Sequence, residues 1–388
     1  MTNAENLKDR AAETTYQVSR ITYHAVAARS SALLAAACLA LLMSGCSNLG
    51  YYLQSMGGQL DIWRRQRPIE EVVNDPATPD ALRRKLNTVL EIRGFASREL
   101  GLPDNRSYRE YADLGRPYVV WNVFATGEFS IEPVQWCFLV VGCVSYRGYF
   151  SKEDAERFAA ETDGGGRDVY IGPVPAYSTL GWFPDPVLNT FIRHPDFEIA
   201  RLIFHELTHQ KIYVRDDTVF NESLAVTVEQ EGVRRWLARG GEAQQYAAFA
   251  RAQRIRADFA RLVRKYREQL ADLYRTRLAP EPMRARKEEI LRSLGDEYRS
   301  LKQQAWGGYA GYDEWFGRKP NNAQIASVAI YTQLVPAFQA LLARENDDLP
   351  RFYAAVKALA AQAKEDRDAR LRSLAPDIIF RRTKEDEK

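Results

Sequence analysis

Residues 202–232 read LIFHELTHQKIYVRDDTVFNESLAVTVEQEG and contain the spacing that organises the chain. His205 and His209 are four positions apart, and Glu206 follows the first of them. Positions four apart lie on one face of an α-helix, so both imidazoles can reach a single metal ion. A catalytic zinc site uses three protein ligands and keeps one position open for water. The spacing therefore predicts one bound Zn²⁺, with Glu206 beside the metal and a third ligand elsewhere.

The best candidate for the third ligand is Glu222, in the stretch FNESLA. We expect Asn221 to be the N-cap of a second helix and Gly232 to end it, which puts Glu222 in the first turn. A short connection after the first helix lets the second helix fold back against it. Glu229 and Asp217 are the alternative ligands. A pair of core histidines satisfied without metal is the alternative to the site as a whole.

The stretches HELTH and FNESLA together resemble the gluzincin metallopeptidases, whose third ligand is a glutamate on the next helix. With WCFLVVGCVSYRGYF at residues 136–150 and AYSTLGWFPDPVL at residues 176–188, the chain resembles a bacterial family of predicted aminopeptidase lipoproteins. The resemblance covers nearly the whole mature chain. It implies an α+β, predominantly helical, gluzincin-like zincin fold, with a small mixed sheet beside the zinc helix and peptides as substrates.

The composition is that of a globular protein. The chain has 388 residues, of which 46% are hydrophobic and 27% charged, so it can bury a substantial core. The formal net charge of +3 is close to balance and produces no strong field. We therefore do not expect nucleic acid as a partner.

The N-terminal region predicts export and a membrane anchor. Residues 31–43, SALLAAACLALLM, have the length of a signal-peptide core and precede Ser44, Gly45 and Cys46. This order resembles the lipobox of bacterial lipoproteins. We expect a signal peptide over residues 1–45, a lipidated Cys46 and a mature metallopeptidase domain over residues 46–388, while an ordinary secretory signal or an uncleaved anchor is the alternative. By analogy the chain belongs to the cell envelope, on the periplasmic face, with the outer membrane favoured.

Export changes how the cysteines downstream are interpreted. Cys137 and Cys143 enclose five residues. In an oxidising compartment we expect them to form a disulfide, which closes a small loop. Two buried free thiols are the alternative.

Periodicity predicts the remaining elements. Residues 51–107 have a helical pattern, whereas residues 118–150 and 168–172 are β-branched and aromatic and predict strands. Two helical stretches around residues 242–305 are broken by prolines and predict a helical hairpin, and a charged tail ends the chain. The loop at residues 176–186 is expected to be ordered.

Several residues outside the motif are candidates for the site. Tyr177, Ser178, Thr179 and Asp185 either line the substrate cleft or belong to a loop packed by its own Trp182 and Phe183. His194, just before a proline in a surface turn, is expected not to be a ligand.

The chemistry expected of this site is peptide hydrolysis, with Glu206 as general base and then general acid. The resemblance implies an oxyanion donor downstream, supplied by Tyr309, Tyr312 or, first among them, Tyr331. By the same analogy Glu128 would bind the free ammonium group of an aminopeptidase substrate. An endopeptidase of envelope proteins and a non-catalytic, metal-stabilised lipoprotein that binds partners are the alternatives.

Overall fold

The computed structural model describes residues 50–138, 142–176, 179–240 and 243–375. The predicted signal peptide, Cys46 and the charged tail at residues 381–388 lie outside these ranges, as do Tyr177 and Ser178. Residues 50–59 are helical and belong to a separate unit, and a second unit begins at Leu60.

The unit is mostly helical, as predicted. Its helices are α1 (residues 60–65), α2 (Ile69–Asn74), α3 (Asp80–Arg98), α4 (Lys152–Asp163), α5 (Asp196–Lys211), α6 (Thr218–Gly240), α7 (Ala243–Tyr274), α8 (Pro280–Gln304), α9 (Asp313–Gly317), α10 (Asn322–Thr332), α11 (Val335–Arg344), α12 (Leu349–Ala360) and α13 (Lys364–Leu374).

The strands form three small sheets. They are β1 (Arg67–Pro68), β2 (Glu110–Ala112), β3 (Val120–Gly127), β4 (Trp136–Phe138), β5 (Gly142–Val144), β6 (Arg147–Tyr149), β7 (Arg167–Val174) and β8 (Val187–Leu188). The main sheet has the order β6-β3-β7, and β4 and β5 form a separate hairpin. A third sheet has the order β1-β2-β8. The fold class is therefore α+β.

The main sheet differs from the mixed sheet that we predicted. Both of its pairings are antiparallel, with Asn122 opposite Gly148 on one side and Gly172 on the other. Mixed pairing occurs instead in the third sheet, where β2 is antiparallel to β1 and parallel to β8. Strands of two or three residues are too short to show a period of two, so periodicity could not predict that sheet.

The centre of the unit is the close packing of α5 against α6. Gly232 was predicted to end the second helix, and this was wrong, because α6 continues to Gly240. A Cβ atom at Gly232 would lie 2.7 Å from side-chain atoms of Leu100 and Phe204. Close approach of the helices, and not helix termination, is therefore the reason for glycine at this position.

Helices α3, α7, α10 and α11 pack against this pair, and the other helices pack on these elements or on the main sheet. The helices α7 and α8 pack on each other, and the Tyr266 hydroxyl donates to the Ser293 carbonyl 3.0 Å away. Helix α10 packs against both α6 and the main sheet. It lies in the stretch Asn322–Arg344, which in the described part of the chain is long and apolar enough to cross a bilayer. Half of the most apolar window of that stretch is buried, and its contacts are those of a core element.

Candidate metal centre

The helix α5 carries the motif with its side chains turned into the core. It begins directly after Pro195, whose fixed φ suits the residue before a helix, and ends at Lys211. His205, Glu206 and His209 are buried, with 7–8% of each residue exposed. The two imidazole centroids lie 4.9 Å apart, as expected for residues one turn apart on one face.

The side chains of Asp217 and Asn221 hold the connection between α5 and α6, in roles that differ from those predicted from the sequence. Asn221 was predicted to cap the second helix, and this was wrong: α6 begins at Thr218, and Asp217 accepts from the Phe220 amide at 3.1 Å. The Asn221 side chain instead bonds to both the amide and the carbonyl of Val214, at 2.8 and 2.7 Å. These two bonds fix the turn that folds α6 back against α5. Glu222 faces α5, but from the second turn of α6 and not from the first turn as predicted, because the helix begins earlier, at Thr218.

Glu222 meets both histidines through one oxygen atom. Its Oε2 lies 3.1 Å from Nε2 of His205 and 3.5 Å from Nε2 of His209. The ligand atoms of the three residues all lie within 4.8 Å of one another. Two imidazoles and a carboxylate that converge in this way can hold one divalent cation. The structure thus brings together the three residues that the spacing selected.

The other nitrogen of His205 has a different carboxylate. Glu229 Oε2 lies 2.9 Å from Nδ1 of His205, and Arg201 holds the same carboxylate at 3.1 and 3.2 Å. Arg201 also donates to Glu198 at 2.8 Å, and Arg256 on α7 pairs with Glu198 in turn. Glu229 was an alternative ligand in the sequence. In the structure it contacts the nitrogen that faces away from Glu222, where it orients the imidazole.

The remaining alternative ligand, Asp217, has another partner. Its carboxylate pairs with buried Arg367 on α13 at 2.6 Å and also caps α6. His194, expected not to be a ligand, is exposed and is not a member of the cluster.

The charges of the cluster shift the pKa values of its members. Burial acts to lower the pKa of His205, but hydrogen bonds to Glu222 and Glu229 outweigh burial and raise this pKa to about 10. Burial acts to raise the pKa of Glu222, but the two histidines lower it to about 2. The buried carboxylates of Glu222 and Glu229 therefore need positive charge beside them to be stable in their ionised form. A divalent cation would meet this need, so the donor set and its electrostatics fit a metal.

Glu206 has the opposite shift. Burial raises its pKa, and the charges of Glu222 and Glu229 act in the same direction. The charges of His205 and His209 act to lower it. A buried carboxylate next to this ligand set, with a pKa above its usual value, has the properties of a general base.

Tyr331 on α10 lies beside the cluster, as predicted. Its ring is tilted against that of His205 with centroids 6.4 Å apart. Burial raises the pKa of Tyr331 well above its usual value, and the charges of Glu222 and Glu206 add to this effect. The hydroxyl is therefore held in its neutral, proton-donating form close to the ligands.

Two further tyrosines near the cluster were missed by sequence reasoning. Burial raises the pKa of Tyr213 to about 12, and the nearby Glu222 carboxylate acts in the same direction. Tyr146 interacts electrostatically with Tyr331 and packs in the same side-chain cluster as Phe124. The place of Tyr213 directly after the motif helix was a usable signal, whereas Tyr146 comes from the main-sheet region and gave none.

The structure places the other predicted site residues elsewhere. Tyr309 and Tyr312 belong to an aromatic cluster in which Tyr312 stacks on Phe259 with centroids 3.9 Å apart. The Glu128 carboxylate pairs with Arg284 at 3.0 Å.

Glu128 also lies at the far end of α10. Its carbonyl accepts from the Asn322 side chain at 2.9 Å. Asn322 and Tyr331 are nine residues apart, which corresponds to roughly 14 Å along a helix axis. The structure therefore does not bring Glu128 to the cluster.

The loop at residues 179–186 packs against the residue that follows the motif. Asp185 is buried and accepts from Gln210 at 3.0 Å and from the Thr179 amide at 3.1 Å. Asp185 therefore holds the loop together. Trp182 and Phe183, which one of the two alternatives had packing the loop, are 69% and 43% exposed.

The predicted disulfide between Cys137 and Cys143 is confirmed, and it joins the two strands of the β4–β5 hairpin. The Cys143 amide donates to the Asp216 carboxylate at 2.6 Å, in the turn between the two motif helices. Gly142 lies so close to this turn that a Cβ atom would overlap the Asp216 carboxylate. The disulfide hairpin is therefore docked on the segment that positions Glu222.

The fold and the site define an α+β protein with a buried His-His-Glu cluster able to hold one divalent cation. Residues 50–371 match a family model described as "Putative aminopeptidase", and the chain belongs to this family. The family indicates a peptidase that acts on peptide substrates, as the resemblance implied. A search of curated proteins and a search of solved structures gave no match.

Proposed function

We propose that the protein is a zinc-dependent peptidase, most consistent with an aminopeptidase, and that it has a gluzincin-like zincin fold. His205, His209 and Glu222 would hold the ion. The observation that carries the proposal is the convergence of three buried ligand atoms within 4.8 Å, in a chain that belongs to an aminopeptidase family.

When bound, zinc supplies a Lewis acid and makes water acidic enough to act as a nucleophile near neutral pH. Glu206 accepts the proton of the attacking water and then gives it to the leaving amine. Tyr331 donates a hydrogen bond to the oxygen that gains negative charge. Glu229 and Arg201 keep the His205 ring in the orientation that ligation needs.

The proposed cellular setting comes from the sequence. Export with a signal peptide over residues 1–45 and a diacylglycerol anchor at Cys46 would place the enzyme on the periplasmic face of the envelope, with the outer membrane favoured. The disulfide Cys137–Cys143 supports an oxidising compartment, since such bonds persist outside the cytosol.

The test compares the wild-type protein with Glu206→Gln and with a control, Glu231→Gln, on the same helix pair. Glu231 pairs with Arg234 and Arg235 and takes no part in the cluster. A peptide library is digested with and without chelator, the cuts are identified by mass spectrometry, and zinc content is measured for each protein. Glu206→Gln should keep its zinc and lose cleavage by roughly 10²–10⁴-fold, while the control stays active. Full cleavage by Glu206→Gln rejects the proposed base.

The same digestion separates the two directions of attack. An aminopeptidase cuts only peptides with a free amino terminus, so acetylated peptides should survive. Cleavage of acetylated peptides at internal bonds instead supports an endopeptidase of envelope proteins. This second candidate is considered because Glu128, the residue expected to bind a free ammonium group, lies away from the cluster. Bound zinc without any cleavage supports a non-catalytic lipoprotein that binds partners.

A further inference from the structure

We propose that an exposed aromatic patch, formed by Leu60, Trp63, Trp182 and Phe183, rests on a lipid bilayer and orients the protein at the membrane surface. The occupant is the lipid surface that the anchor at Cys46 would provide, so this inference rests on the lipid attachment in the proposed function. Peptide hydrolysis is not needed for it.

The patch is a concentration of side chains that are normally covered. Leu60 is 42% exposed, Trp63 36%, Trp182 69% and Phe183 43%. All seven tryptophans of the chain lie in the described residues, and these two are the exposed ones. Grouped exposed apolar side chains, unlike single ones, mark an interaction surface.

The four side chains come together from two separate segments. Leu60 and Trp63 are three residues apart in α1, so they share a helix face. The rings of Trp63 and Phe183 meet edge to face with centroids 4.7 Å apart. The two segments are joined by Gln66, whose side-chain amide donates to the Pro184 carbonyl at 3.4 Å.

The segment that carries Trp182 is held in one conformation. The Thr179 hydroxyl donates to the Phe183 carbonyl at 2.9 Å, and the Trp182 amide donates to the Thr179 carbonyl at 3.1 Å. Gly181 adopts φ +81°, a value open to glycine, and so turns the chain outward before Trp182. A rigid turn that presents a tryptophan to solvent is suited to insertion into a surface and not to covering the core of its own protein.

The position of the patch in the chain identifies the occupant. Leu60 is fourteen residues after Cys46, so even a fully extended tether allows no more than roughly 50 Å between them. The patch lies where the chain enters this unit, close in sequence to the proposed anchor. Tryptophan side chains prefer the headgroup region of a bilayer, where the ring is buried and the indole N–H can find a partner.

The charges beside the patch agree with a bilayer that contains anionic lipids. Arg64 is exposed directly after Trp63, and Arg65 and Arg67 follow with side chains 44% and 51% exposed. Asp61 and Asp75 partly offset this charge, because Asp61 pairs with Arg65 at 2.8 Å and Asp75 pairs with Arg67 at 3.2 Å, which leaves Arg64 as the excess positive charge. Arginines next to interfacial tryptophans bind lipid phosphates and hold the rings at headgroup depth.

The test uses the full chain reconstituted in vesicles of phosphatidylethanolamine and phosphatidylglycerol, with or without bromine on the acyl chains. Brominated lipid quenches the fluorescence of tryptophans that it reaches. We expect clear quenching in the wild-type protein and loss of most of it in the double variant Trp63→Phe, Trp182→Phe. The control Trp136→Phe, on the disulfide hairpin, should keep the quenching. Mass spectrometry of the N-terminal peptide determines separately whether Cys46 carries lipid.

Three results would overturn the proposal. The first is vesicle-bound protein without quenching, which places the patch away from the bilayer. The second is a concentration-dependent dimer that Trp182→Ser abolishes, which assigns the patch to a second copy of the chain. The third is slower cleavage of soluble peptides by Trp182→Ser without lipid, which assigns the patch to substrate. Failure of all peptide cleavage with quenching intact rejects the peptidase and leaves the patch assigned to lipid.

Discussion

The carboxylate of Glu229 lies 2.9 Å from Nδ1 of His205, on the opposite side of the ring from Glu222. His205 is therefore held between two carboxylates, one on each nitrogen. An imidazole whose Nδ1 donates to a carboxylate has a fixed orientation and a fixed tautomer when Nε2 binds a metal. The chain of contacts continues through Arg201 to Glu198, and so links the candidate metal centre to the α7–α8 hairpin.

Replacing Glu229 with glutamine should weaken metal binding without removing a ligand. The charge that supports His205 is lost while the shape of the side chain is kept. We expect zinc affinity to fall by about 10–100-fold, as for other groups that orient a ligand. Competition with a chromophoric chelator measures it. Glu231→Gln, two residues along the same helix, is the control, and equal affinities of the two variants would count against an orienting role.

Replacing Tyr331 with phenylalanine should slow cleavage and leave zinc content unchanged. The hydroxyl is the closest predicted donor to the ligands, and its loss should lower kcat by roughly 10²–10³-fold with little change in KM. Steady-state kinetics on a fluorogenic peptide measures both constants. Tyr309→Phe, an exposed tyrosine of the aromatic cluster, should have no effect. An unchanged kcat in Tyr331→Phe would mean that Tyr331 is not the donor and that Tyr146 or Tyr213 takes this role.

Replacing Gly232 with alanine should destabilise the fold. The added methyl would press against Leu100 and Phe204 at 2.7 Å, so the helices must move apart. Overpacking of this kind costs about 1–3 kcal/mol. Urea unfolding followed by circular dichroism measures the free energy of unfolding. At Gly240 a Cβ atom would meet nothing within 4 Å, so Gly240→Ala should be close to neutral. Equal stability of the two variants would mean that α5 and α6 tolerate separation.

Removing the disulfide should lower stability by about 2 kcal/mol, the value expected for closing so short a loop in the unfolded chain. The double variant Cys137→Ser, Cys143→Ser should melt at a lower temperature than the oxidised wild-type protein. Reduced wild-type protein is the matched control and should melt with the variant. A variant that melts with the oxidised protein would show that the bond contributes nothing to stability.

Acid should remove a stabilising contribution of Glu198. Burial acts to raise its pKa, but Arg201 and Arg256 outweigh burial and hold the pKa below its usual value of 4.5. A carboxyl group whose pKa is lowered by folding stabilises the protein above pH 4.5, and this stabilisation disappears as pH falls through the lowered value. Glu198→Gln should therefore be less stable than wild type at neutral pH, with a gap that narrows below pH 4.5. Urea unfolding of chelator-treated proteins over this pH range is the measurement, and a gap independent of pH would contradict it.

The local spacing of residues was enough to predict the centre of the site. Helix geometry alone puts two histidines four residues apart on one face and lets a glutamate on the next helix reach them. The structure brings all three residues together. The ends of α6 were predicted wrongly. Asn221 and Gly232 have side chains that suit helix ends, but tertiary contacts with Val214, Leu100 and Phe204 gave both residues other roles.

The sequence by itself determined the helical class, the disulfide and the three residues of the candidate metal cluster, because each depends on spacing within one short stretch or between neighbouring helices. Only the tertiary structure decided that Glu229 orients His205, that Glu128 lies away from the cluster and that Trp63 meets Phe183. These relationships join segments distant in sequence, and no periodicity records which of many chemically similar side chains the folded chain will place together.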